Sequence, residues 1–201
     1  MSAYEFSVNF DYRCPFARNA HEHVIAALEA GADYDVRFAP FSLSQAHVEE
    51  GGVAVWDNPD ERPNLTAIAA GIVVRDRYPE HFRRAHLSLF AARHDDGGDL
   101  RDDAVVRSAL DRAGVDSQAV FAELAAGWPF DVFRVEHEES VKQHAAFGVP
   151  TFIIGDSAVF VRLMTRPKGD GDLARDTIDR TLELIASHGD LNEFKHTTIP
   201  R

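Results

Sequence analysis

One cysteine stands in the whole chain, in the stretch Phe10-Asp11-Tyr12-Arg13-Cys14-Pro15-Phe16-Ala17. It falls where an alternating apolar pattern ends and a helical one begins. A thiol at a strand-to-helix junction faces unpaired N–H groups and the positive end of the helix dipole, and both favour thiolate over thiol. Arg13 and Arg18 would add to this. Cysteines so placed have pKa values of roughly 3.5 to 7.5 against ~8.5 when free, so Cys14 is expected to be a nucleophile. The plain alternative is a small buried hydrophobe.

The second chemical signal is Gly148-Val149-Pro150-Thr151, where a proline opens a strand that otherwise reads as central. Proline lacks a ladder donor, so it needs an edge, a first position or a special bond. Either it is an ordinary trans proline leaving a helix, or a cis peptide at Val149-Pro150 turns the Val149 backbone outward toward a bound chain or thiol compound.

These two segments need elements to hold them. Tyr4, Phe6, Val8 and Phe10 alternate with Glu5, Ser7 and Asn9, which predicts a strand ending near Asp11. Ala17, Ala20, Val24, Ala27 and Leu28 recur at helical spacing from Pro15 until Gly31. A second strand over Tyr34 to Phe38 completes a βαβ unit with parallel strands. Ser42 to Asn64 reads as loop, and helices are expected over Asn64 to Arg77, Pro79 to His94, Leu100 to Ala113, Ser117 to Ala126 and Phe130 to Ala146. A buried strand over Gly148 to Ile154, a turn at Gly155-Asp156, a strand at Val159 to Val161 and a helix over Gly169 to His188 close the chain.

Twenty-one basic and 33 acidic residues give a formal charge of -12. That charge opposes a phosphate backbone, so neither nucleic acid nor an anionic membrane is an expected partner. The N-terminus Met1-Ser2-Ala3-Tyr4-Glu5 lacks a basic and an apolar leader segment, and no apolar run approaches the ~20 residues of a membrane span. A cytoplasmic protein is expected, and a lone cysteine fits a reducing compartment. Ten histidines raise the question of a metal. His21 and His23 are two apart and His81 and His86 five apart, neither at zinc spacing, so no metal site is expected. His21, two helical turns from Cys14, is read as packing or surface. Trp56, Trp128 and Phe41 are candidates to line a substrate pocket, and Arg93 to Asp103 reads as a solvated loop.

Together these segments resemble the thioredoxin-like proteins of the DsbA type, including FrnE-like oxidoreductases and the related 2-hydroxychromene-2-carboxylate isomerases and kappa-class glutathione transferases. The resemblance is carried by Phe10 to Phe16 and by Phe147-Gly148-Val149-Pro150-Thr151-Phe152. It continues in His86-Leu87-Ser88-Leu89-Phe90, Asp99-Leu100 and Ala113-Gly114-Val115-Asp116. It implies an α/β thioredoxin-like fold over residues 1–41 and 130–201 with an inserted helical subdomain over 42–129. It implies Cys14 as catalytic residue, its thiolate held by the Cys14 and Phe16 amides, and Tyr12, Pro15, Phe16, Val149 and Pro150 as the thiol-binding surface. His86, in the inserted helices, becomes a candidate proton donor over the site.

Two departures refine this. Ala17 stands where a dithiol member has its second cysteine, so an internal disulfide cycle is excluded. The segment Arg162 to Pro167 does not resemble the glycine and Asp-Arg segment of either branch, and Cys14 stands where the isomerases and transferases typically have serine. The expected function is thus a monothiol oxidoreductase or transferase, with no tightly bound cofactor. Its partners would be a low-molecular-weight thiol, glutathione or mycothiol, a disulfide or electrophile, and a second copy of the chain as a homodimer. The rivals are a non-catalytic binding protein and a glutathione-dependent isomerase.

Overall fold

The period-two pattern at the N-terminus builds strand β1, Tyr4–Phe10, with Phe6, Val8 and Phe10 buried. A computed structural model describes residues 4–199, so Met1-Ser2-Ala3, on which part of the leader reading falls, lies outside the described residues. Helix α1, Pro15–Glu29, crosses to β2, Tyr34–Pro40. The two strands pair in parallel from Tyr4 against Tyr34 to Phe10 against Pro40. Strand β2 is an edge in the order β2-β1-β3-β4, which is where a proline without a ladder donor can sit. Strand β3, Thr151–Ile154, runs antiparallel to β1, and β4, Ser157–Phe160, antiparallel to β3. Their two-residue connection is eased by Gly155 at φ 54°.

Between the two halves lie α2 (Leu43–Ala46), α3 (Arg62–Arg77), α4 (Pro79–His94), α5 (Asp103–Arg112), α6 (Ser117–Ala125) and α7 (Trp128–His144). Helix α8, Gly171–Ser187, closes the chain and packs on α1. The fold is α/β, a mixed four-stranded sheet with eight helices among the described residues.

The differences from expectation lie at element ends. Strand β3 starts at Thr151 rather than Gly148, after the proline that cannot donate to the ladder, and β4 runs over Ser157–Phe160 rather than Val159 to Val161, directly after the two-residue turn. Helix α5 begins at Asp103 rather than Leu100, because the Asp102 carboxylate accepts from the Ala104 amide and sets the start. Helices α3 and α7 start earlier than expected and carry Pro63 and Pro129 inside their first turns, where a missing N–H costs nothing. The expected loop from Ser42 to Asn64 holds α2, capped by the Ser42 hydroxyl, and a 3-10 turn at Pro59–Glu61. Elements this short have no periodicity to read. One continuous apolar core runs from Val8, Phe10 and Phe152 of the sheet through α1 to Ile68, Phe90 and Leu110 of the central helices. No described helix is long and apolar enough to cross a membrane.

Candidate active site

The turn leading into α1 is organised by Asp11, which is fully buried. Its carboxylate accepts from the Arg13 amide (2.9 Å), Arg13 Nε (3.0 Å) and Nη2 (2.7 Å), and the Leu43 amide (3.0 Å). Its carbonyl accepts from the Cys14 amide at 3.0 Å. The chain therefore bends so that Cys14 becomes the N-cap of α1, with Pro15 in the first turn. The Cys14 sulfur accepts from the Ala17 amide at 3.5 Å. It also donates to the Val149 carbonyl oxygen at 3.4 Å across the gap to the loop before β3.

This geometry corrects the expectation of a depressed thiol pKa. Burial pushes the Cys14 thiol up, and the nearby Asp11 charge adds to it. The Ala17 and Phe16 amides and the Arg162 cation oppose that shift without overcoming it. The Cys14 amide, expected to hold the thiolate, is spent on Asp11. Arg13 is occupied by Asp11 and by the Ser44 hydroxyl at 2.9 Å. Arg18 belongs to a square of charges. It bonds Glu22 (3.0 Å) and Asp95, while Arg166 bonds the same Glu22 (2.6 Å) and the same Asp95 (3.3 Å). The cation that acts on the sulfur is Arg162, from the segment that departs from the expected glycine and Asp-Arg pattern. Its guanidinium lies 5.3 Å over the Phe16 ring.

The remaining expected residues divide. Pro15 is exposed and Phe16 half-buried at the start of α1, and Val149 and Pro150 are buried opposite them. The Val149–Pro150 peptide is cis. The Val149 carbonyl meets the protein's own thiol rather than facing outward, and the Pro150 carbonyl accepts from the Val161 amide at 3.0 Å. Tyr12, expected on the binding surface, has its side chain turned into the core. Its hydroxyl meets His86 Nδ1 at 2.8 Å. Burial pushes its phenol pKa well above the ordinary value, so it stays a neutral donor.

His86 is likewise no lid residue. It is fully buried, with Nε2 2.9 Å from His21 Nδ1, and both rings sit against Phe10, Phe38 and Phe90. Burial lowers the His86 pKa well below normal and that of His21 to about 4.

Trp56, Trp128 and Phe41 do not line one pocket. Phe41 is sealed against His137 at 4.4 Å, Trp128 donates to Glu123 at 2.6 Å, and Trp56 alone borders a cavity of about 570 Å³ with Arg62, Phe130 and Arg134. Beside the Asp11 turn lies a second cavity of about 290 Å³. Its walls include Arg93, Asp99 and Arg101, so the expected solvated loop is partly wall. Among the described residues no group of three or more His, Cys, Asp or Glu side chains is placed to hold a metal.

Two residues of the site gave no sequence signal. Asn9 alternates with apolar neighbours like a solvent-facing strand residue, yet it is fully buried, bonded through its carboxamide to Gly148 and Thr151. Arg162 sits in a segment without periodicity.

No curated protein matches the chain. Among solved structures, a thioredoxin-like oxidoreductase from Silicibacter pomeroyi superposes with a TM-score of 0.59 at 16% identity, covering 90% of this chain and 88% of that one. A probable DsbA oxidoreductase from Streptomyces coelicolor gives 0.59 at 14%, covering 96% and 93%. A 2-hydroxychromene-2-carboxylate isomerase gives 0.61 at 13%, covering 93% and 100%. These likenesses show a shared fold. The family model of the DSBA-like thioredoxin domain matches residues 6–165, and the chain belongs to that family.

Proposed function

We propose that this chain is a thiol-dependent oxidoreductase that works through Cys14 alone and is turned over by an external low-molecular-weight thiol, glutathione or mycothiol. The observation that carries the reading is the position of Sγ, capping α1 and facing the Val149 carbonyl at the cis proline. After Cys14 loses its proton to solvent, the thiolate attacks one sulfur of a disulfide. A Cys14–S–S–R bond forms and the other half leaves as a thiolate; an external thiol R′SH then attacks the R sulfur of the mixed disulfide, forming R–S–S–R′ and releasing Cys14 as thiolate. Ala17 offers no resolving sulfur, so the external thiol is obligatory. Phe16 supplies an apolar wall beside the sulfur. A lone free cysteine fits a reducing compartment, which supports a cytoplasmic setting for this chemistry.

The burial that keeps Cys14 protonated favours a second reading. A neutral S–H is a donor, and in a glutathione-dependent isomerase it would donate to the thiolate of bound glutathione instead of attacking. One experiment separates the two. The protein is incubated with glutathione disulfide or mycothiol disulfide from pH 7 to 9.5, and its intact mass is followed. A single adduct, lost in Cys14→Ser, supports the oxidoreductase. No adduct at any pH sinks it, and saturable binding of reduced glutathione in that case selects the second reading.

A further inference from the structure

The ladder between β1 and β3 joins Ser7 to Ile153 and Val8 to Phe152, and the next rung in that register would join Asn9 to Thr151. That rung is made by a side chain. The Asn9 backbone carbonyl meets His21 Nε2 at 3.1 Å, and it is the carboxamide that reaches across to β3. Its Oδ1 accepts from the Thr151 amide at 2.6 Å, and its Nδ2 donates to the Gly148 carbonyl at 3.2 Å. The Thr151 hydroxyl gives Gly148 a second donor at 2.8 Å. One buried carboxamide therefore grips the chain on both sides of Val149-Pro150, and the Val149 carbonyl between the grips is the one that meets Cys14 Sγ.

The proton count behind Asn9 is settled by that carbonyl. His21 must carry its proton on Nε2 to donate to it, so His21 Nδ1 accepts from His86 Nε2, and His86 Nδ1 accepts from the Tyr12 hydroxyl. Every group in the row is satisfied while neutral, and the row fixes the Asn9 backbone from which the carboxamide reaches the loop.

We propose that Asn9 is a positioning residue of the Cys14 site: it clamps Gly148 and Thr151 so that the Val149 carbonyl stands against the thiol and holds its proton. The proposal rests on reading Cys14 as the reactive group. Asn supplies the one donor and one acceptor the two grips require. Alanine supplies neither, and an ionised aspartate would turn an acceptor on the Gly148 carbonyl. The charged side chains acting on the sulfur, Asp11 and Arg162, stay in place in every variant below.

The test is the pH–rate curve of Cys14 alkylation by iodoacetamide in the full chain. Asn9→Ala is expected to raise the rate at pH 7.5 about 3-fold to 10-fold, by moving the midpoint to lower pH with the high-pH plateau unchanged. Thr151→Val keeps the shape, removes one donor to Gly148 and is expected to shift the curve the same way by less. It decides the matter alone if Asn9→Ala does not fold. Leu110→Ala, in the buried face of α5, reports what loss of stability alone does, and is expected to leave the curve in place. Curves for the clamp variants that superimpose on wild type overturn the proposal, as does an equal acceleration in Leu110→Ala. Failure of the oxidoreductase reading shows differently, as a thiol that alkylates yet forms no mixed disulfide.

Discussion

At Cys14 the two influences that decide a thiol's protonation are opposed, and their sizes set the outcome. A helix-start amide and a nearby cation stabilise the thiolate. Removal of the sulfur from water and the Asp11 carboxylate destabilise it, and burial is the largest contribution. Arg162 is exposed, so its charge is screened and modest. Arg162→Gln is expected to slow alkylation of Cys14 at pH 8 by about 2-fold to 3-fold, with the gap closing in 1 M salt. An unchanged rate would remove Arg162 from the site. The position of Cys14 at the start of α1 was legible because a lone cysteine, a proline after it and the change of period from two to 3.6 coincide. Its protonation was not legible, because desolvation depends on Val149, 135 residues away, and the competing arginines find partners that spacing does not reveal. Tyr12 was misplaced for a related reason. It is adjacent to the turn in sequence, and only the packing of α4 shows that its hydroxyl points inward.

At the scale of elements, α3 approaches Tyr12, in the turn before α1, closely enough that one residue has to be glycine. A Cβ on Gly71 would stand 2.4 Å from the Tyr12 hydroxyl oxygen, and a fully buried tyrosine cannot step aside without leaving His86 Nδ1 without its partner. Gly71→Ala ordinarily favours a helix by about 1 kcal/mol. Here it is expected to cost about 1–3 kcal/mol instead, read as a lower midpoint in urea unfolding. A neutral or stabilising result would mean that Tyr12 is loosely held. The helices themselves were legible from apolar spacing and proline, and α4 runs over Pro79–His94 as expected. The start of α5 moved because the Asp102 cap decides it, while α3 and α7 moved without a side-chain cap, each beginning one residue before a proline. The buried role of Asn9 was hidden because a strand's alternation predicts which face a residue is on and says nothing of a loop folding over that face.

For the whole molecule, the consequence of burying histidines is a sensitivity to acid. His21 and His137 both have pKa values lowered to about 4, and His86 is lowered well below its usual value, in each case chiefly by burial. The unfolded chain binds these protons at about pH 6.5 and the folded chain does not. Stability is therefore fully present above about 6.5 and is lost as the pH falls toward 4, by a few kcal/mol for a group shifted this far. Urea unfolding at pH 7, 5.5 and 4.5 is expected to show a progressive fall, flattened in His137→Phe, which removes one of the three. A flat profile in the wild type would mean that the rings take up protons at the same pH in the folded and the unfolded chain.

The square made by Arg18, Glu22, Asp95 and Arg166 restricts how the sequence can drift. It joins α1, the end of α4 and the segment after β4, and its two cations and two anions cancel. Replacing any one corner by a neutral residue leaves an odd charge among side chains of which Arg18 and Glu22 are largely withdrawn from water. The inexpensive route out is a paired exchange that removes one charge of each sign. These four positions, spread over 149 residues of the chain from Arg18 to Arg166, should therefore behave in evolution as two coupled letters rather than four independent ones.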